Sequence, residues 1–124
     1  MNTTELLTDV YSRLSAITSK SYYEQAPQTT TLPYMVYEII NTDIGIDTSK
    51  RNDYTMRVNI WANSDDITTL ETLADSVADI NLNKDIDTNQ SMFYNLISKL
   101  NIPTSDENLR RRELTFTIRT YPIG

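Results

Sequence analysis

Between Asp53 and Trp61 the chain alternates without a break: Tyr54, Met56, Val58 and Ile60 on one parity, Thr55, Arg57, Asn59 and Trp61 on the other. A period of two, free of Gly and Pro, belongs to a strand, because a helix would repeat its apolar positions every three or four residues. One parity is apolar and the other mixed, so this strand buries one face. The same pattern closes the chain, with Leu114, Phe116 and Ile118 set against Thr115, Thr117 and Arg119. These two strands are expected at the centre of a sheet, and neither carries obvious chemistry.

The remaining segments arrange themselves around that pair. Residues 4–18 read as a helix, with Leu7, Val10, Leu14 and Ile17 on one face and Leu6 and Tyr11 beside it. Its polar side, Thr8, Asp9, Ser12 and Ser15, is not basic, which argues against a membrane-surface helix. Ser19–Leu32 is an irregular connector. Tyr34–Thr42 alternates again, with Met35, Tyr37 and Ile39 against Val36 and Ile40, and Glu38 at a rim. Thr42–Asn52 is polar and lies between two strands, which predicts a long hairpin loop. Asn63 or Ser64 is expected to cap a helix whose stripe is Ile67, Leu70, Leu73, Ala74, Val77 and Ile80, with Asp65 and Asp66 in its first turn. Asn81–Asn89 is turn-rich. Met92–Leu100 reads as a weak strand, with a short helix as the alternative. Pro103–Asn108 is a turn and Leu109–Tyr121 the last strand. The order helix-strand-strand-helix-strand-strand predicts a single α+β domain over residues 1–124, its helices packed on one face of a four-stranded, mainly antiparallel sheet.

Composition excludes much. The 124 residues include no Cys and no His, which removes disulfides, thiol nucleophiles, Ser-His-Asp arrangements and the usual zinc sites. Two glycines, Gly45 and Gly124, are too few for a phosphate-cradling loop. A net charge of −6 argues against sequence-specific DNA binding. The opening residues lack a signal-peptide pattern, and no run approaches the ~20 apolar residues of a membrane span. A soluble cytoplasmic or virion protein is the expectation.

Candidate chemistry is sparse. Asp85-x-Asp87-x-Asn89 begins like a calcium loop, but Gln90 replaces the required glycine and Leu96 the bidentate glutamate. Glu38, Glu71 and Glu113 are the carboxylates a glycosidase would need. Each has a plainer reading: Glu71 on a solvated helix face, Glu113 in a surface ion pair beside Arg110-Arg111-Arg112. No catalytic residue, metal ligand or cofactor site is expected, and the chain reads as a non-enzyme. The eight tyrosines and Trp61 suit subunit contacts as well as a half-buried core.

Three segments resemble, in order, the tail terminator or tail completion (tail-to-head joining) proteins of long-tailed bacteriophages. They are Ala26-Pro27-Gln28 leading to Leu32-Pro33-Tyr34-Met35-Val36-Tyr37, then Arg57-Val58-Asn59-Ile60-Trp61 with Thr69–Asp75 behind it, and last Arg112–Arg119. The resemblance implies a structural protein of the virion tail. It implies a ring, hexameric in the family, that caps the head-proximal end of the tail tube, stops tube growth and joins the head. The implied partners are further copies, the tail tube protein and the head-completion or connector protein, with DNA passing through unread and no membrane involved. A neck or adaptor protein on the head side, or a small cytoplasmic binding domain, are the alternatives. Subunit contacts are expected from Tyr34, Met35, Tyr37, Ile39 and Trp61. Partner contacts are expected from the hairpin residues Ile44, Gly45, Asp47, Lys50 and Arg51, with Lys50 and Arg51 meeting acidic surfaces.

Overall fold

The computed structural model describes residues 3–44, 52–82, 84–86 and 90–122. The elements are α1 (Thr3–Ile17), β1 (Ser21–Tyr23), β2 (Tyr34–Ile44), β3 (Asn52–Asn63), α2 (Ile67–Ala78), a 3-10 turn (Asp79–Leu82), β4 (Lys84–Ile86), β5 (Gln90–Ile102) and β6 (Leu109–Pro122). They build one sheet in the order β1-β2-β3-β6-β5-β4.

This corrects the expected four-stranded, mainly antiparallel sheet. The sheet has six strands and is mixed, because β1 pairs parallel with β2 (Ser21 with Met35, Tyr23 with Tyr37). Its additional strands, β1 and β4, arise in the segments read as connector and turn. Each is three residues long, too short to display a period, and each is specified by the neighbour it pairs with. β3 and β6 are central, in unbroken antiparallel register from Asn52–Thr120 to Asn63–Leu109.

Alternation places Tyr54, Met56, Val58, Ile60, Leu114, Phe116 and Ile118 on one face, all buried. Both helices contribute to that core through Leu6, Val10 and Leu14 of α1 and Leu70, Ala74 and Val77 of α2. The stripe of α1 centres one position earlier than expected, which leaves Tyr11 57% exposed. The hydroxyl of Ser21 donates to the carbonyls of Thr18 (2.8 Å) and, in a longer bond, Leu14 (3.2 Å), which ties the start of β1 to the end of α1.

α2 starts later than expected. Asn63–Asp66 forms a turn, with the Asp66 N–H donating to Asn63 O at 3.0 Å and the Ser64 N–H to Asn108 O at 2.8 Å. Asp66 therefore takes the N-cap position, and its side chain makes no cap hydrogen bond.

The segment at Met92–Leu100 is a strand. Its alternation is weak because a bulge falls between Leu96 and Ser98. Tyr94 and Leu96 pair with Ile118 and Phe116, but beyond the bulge Lys99, not Leu100, stands opposite Leu114. Leu100 is thereby carried to the opposite face, 48% exposed. A matching bulge in β2, between Ile39 and Asn41, leaves Ile40 exposed.

Candidate functional site: the helix-free face of the sheet

The residues of the second parity form a ladder across β2, β3 and β6. Register aligns Tyr34 with Trp61 and Arg111, Val36 with Asn59 and Glu113, and Glu38 with Arg57 and Thr115. The Tyr34 and Trp61 rings stack at 5.3 Å with 29° between their planes. The Arg111 guanidinium carbon lies 5.3 Å from the Trp61 ring centroid, a cation–π arrangement. Arg111 Nε donates to Asn59 Oδ1 at 2.9 Å, which accounts for a buried asparagine on this face.

Glu113 links the two halves of the ladder. Its carboxylate lies 3.4 Å from Arg111 Nη2 and 3.3 Å from Arg57 Nε. Arg57 Nη1 in turn lies 3.8 Å from Glu38. Two guanidinium groups and two carboxylates thus balance one another beside a half-exposed aromatic pair. Such a surface combines rigid aromatic area with paired charges, as a protein contact does, while the buried Arg57 Nε makes no hydrogen bond.

The structure divides the expected contact residues. Tyr34 and Trp61 lie on this face, half-buried. Met35 and Tyr37 point the other way into the core, at 0% and 3% exposure, and Ile39 packs against that core. The contact patch expected of Met35 and Tyr37 is therefore not on the surface, because the parity that buries Ile60 and Val58 of β3 also buries their cross-strand partners, while Ile39 stays partly exposed. Ile44 closes β2 opposite Asn52. Gly45, Asp47, Lys50 and Arg51 lie outside the described residues.

The carboxylates considered for catalysis all have structural partners. Glu71 accepts from Arg112 Nε at 2.7 Å and lies 3.7 Å from Lys99, so it fastens α2 to the sheet while its side chain stays 41% exposed. Asp9 is likewise engaged: it accepts from the Tyr94 hydroxyl and pairs with Arg13 at 2.8 Å. The Arg13 guanidinium sits 4.8 Å over the Tyr94 ring. Burial, then the hydrogen bond to Asp9 and its negative charge, push the Tyr94 hydroxyl well above the ordinary tyrosine range. Among the described residues no group of His, Cys, Asp or Glu is placed to hold a metal ion. No helix among them is long and apolar enough to cross a membrane.

Sequence reasoning missed Arg57, Asn59, Arg111 and Glu113 as a set. The signal was the shared parity of Thr55–Trp61 and Arg111–Thr117, which needs the β3–β6 register to become a ladder.

No protein-family profile and no curated protein sequence matches the chain. Solved structures do. A chain from the virion of a native gene transfer agent particle covers 90% of this chain and 91% of its own length, with a TM-score of 0.64 at 14% identity. A second solved chain covers 100% of this one and 97% of its own, with a TM-score of 0.63 at 12% identity. The likeness is one of fold, over nearly the whole length.

Proposed function

We propose that this chain is a structural virion protein of the tail terminator kind. Copies assemble into a ring, six by the resemblance, that caps the head-proximal end of a tail tube, ends its growth and joins it to the head connector. The observation that carries the reading is the near full-length fold likeness to a chain of a gene transfer agent virion. The motif segments that resemble tail terminators support it: Tyr34–Tyr37, Arg57–Trp61 and Arg112–Arg119 fall on β2, β3 and β6, three adjacent strands. The role needs no catalytic group, cofactor or metal. It needs a surface for tube or connector protein, and the Tyr34–Trp61–Arg111 face supplies one. The acidic chain lets DNA pass without holding it.

The test is negative-stain imaging of the purified protein, alone and with assembled tail tubes. Rings seated on one end of the tubes are expected, together with overlong tubes when the protein is withheld. Rings that seat only on filled capsids would move the protein to the head side. A protein that binds neither would overturn the reading.

A further inference from the structure

The outermost strands cover only part of the strands they flank. β1 pairs with Met35–Tyr37 of β2, and β4 pairs with Ser91–Phe93 of β5. Each is three residues long beside a neighbour of eleven or thirteen, so most of β2 and β5 forms the rim of the sheet. On β2 the Tyr23 hydroxyl meets the Ile39 backbone, and the rim beyond it runs from Ile40 to Ile44. On β5 the corresponding rim runs from Ile97 to Ile102. Among the described residues neither stretch has a backbone hydrogen bond on its outer side.

Register settles which groups face outward. The Met35 N–H donates to Lys20 O at 2.9 Å and the Glu24 N–H donates to Tyr37 O at 2.8 Å, so Met35 and Tyr37 bond toward β1 and Val36 toward β3. Alternation carried through the pairs Val36–Asn59, Ile60–Arg112 and Arg111–Ile102 turns the backbone of Leu100 and Ile102 toward β6. Lys99 and Asn101 therefore present their N–H and C=O groups outward. Past the bulge in β2, the same alternation leaves Thr42 and Ile44 outward, because Asn41 pairs with Thr55.

Both rims are apolar as well as unpaired. Four large aliphatic side chains are exposed among the described residues, and three of them stand here: Ile40 at 42%, Ile97 at 58% and Leu100 at 48%. Soluble proteins guard such edges, often with a lysine. The lysine of this rim is drawn away, with Lys99 Nζ 3.1 Å from Asp75 and 3.7 Å from Glu71 on α2.

We infer that the Ile40–Ile44 edge of one copy pairs with the Ile97–Ile102 edge of a second copy, so that one sheet runs on from subunit to subunit. Outward N–H and C=O groups at strand spacing are matched by another strand's backbone. β2 and β5 run in opposite directions, so a neighbour in the same orientation brings them together antiparallel. The edges are unlike and each copy carries one of each. The contact therefore propagates head to tail and closes into a ring when the rotation per copy allows. The two stretches lie at diagonally opposite corners of the sheet, which offsets each copy along the strands. A closed array takes up such an offset by tilting its strands. Pairing at the edges leaves the Tyr34–Trp61–Arg111 face open to another protein. The inference rests on the ring reading above and specifies the contact that makes the ring.

Hydrogen–deuterium exchange tests it on the unaltered chain. The amides of Thr42, Ile44, Lys99 and Asn101 should exchange fast in the monomer and at least about tenfold more slowly in the ring. Proline supplies the companion test, since at an outward position it removes an edge donor and spares the ladder within the chain. Thr42→Pro and Asn101→Pro should each stay folded by circular dichroism and weaken self-association about tenfold. Ile97→Lys, at an exposed position, should do the same by charge and serves if a proline variant unfolds.

Rings in which these four amides stay fast, or edge variants that assemble as well as the parent, would overturn the inference and leave the ring reading standing. Protection of one edge alone, or a dimer formed by Thr42→Pro alone, would mean that like edges pair and would overturn it too. A chain that forms no ring, alone or on tube ends, would overturn both.

Discussion

The two faces of this sheet come from the same strands and differ in every other respect. One face carries Val58, Leu114 and Phe116 beneath two helices, all fully buried. The other carries Trp61, Arg57, Arg111 and Glu113, with no helix of the described residues over it, and pairs its charges sideways along the sheet. The covered face holds the fold by excluding water. The open face contributes less to stability and keeps aromatic area in reach of another molecule. Under the proposed function, substitutions on the two faces should therefore separate folding from assembly.

The largest effect should come from Phe116→Ala. It empties the centre of the core and should cost about 3–5 kcal/mol in denaturant unfolding. A loss under ~1 kcal/mol would mean that the covered face is not the source of stability.

Next is Tyr94→Phe, which removes the hydrogen bond to Asp9 and should cost about 1 kcal/mol at neutral pH. It also sharpens the comparison through pH. The unfolded tyrosine ionises near pH 10, and the folded one holds its proton higher, by burial and Asp9. The stability contributed by this raised group is complete below pH 10 and falls as the pH rises above it, by up to ~1.4 kcal/mol per pH unit. The Phe variant should lose less stability than the parent between pH 10 and 11. Parallel alkaline unfolding curves would refute that assignment.

On the open face, Glu113→Gln should cost about 1 kcal/mol or less, because both its arginine partners are about a third exposed. The smallest effect on folding should come from Tyr34→Ala, under ~1 kcal/mol, while tube capping falls sharply. An unfolded Tyr34→Ala protein, or one that caps tubes normally, would break the division of labour between the faces. Trp61 is the only tryptophan, so its emission should shift to the blue when a partner covers the open face and remain unchanged when the partner binds elsewhere.

The likeness of fold to a virion chain holds at 14% identity. A fold survives as long as its covered parity stays apolar and its helices fill the same volume, while the open parity is at liberty to change with its partner.

The sequence by itself determined the elements whose signal is local. The alternation of Tyr54–Trp61 and Leu114–Arg119 and the helical stripe Leu70–Ala74–Val77 are properties of the residues in line, and each buried the side it promised. Tertiary structure decided whatever depends on a lateral neighbour. It made strands of Ser21–Tyr23 and Lys84–Ile86, which have partners but no period. It turned Met35 and Tyr37 inward, since pairing with Ile60 and Val58 fixes their parity and both parities of β2 are apolar enough for either choice. It moved Leu100 outward through a bulge that no residue type announces. It also assembled Tyr34, Trp61, Arg111 and Glu113, residues up to 79 positions apart, into one surface, because strand register is a long-range choice made by the whole core at once.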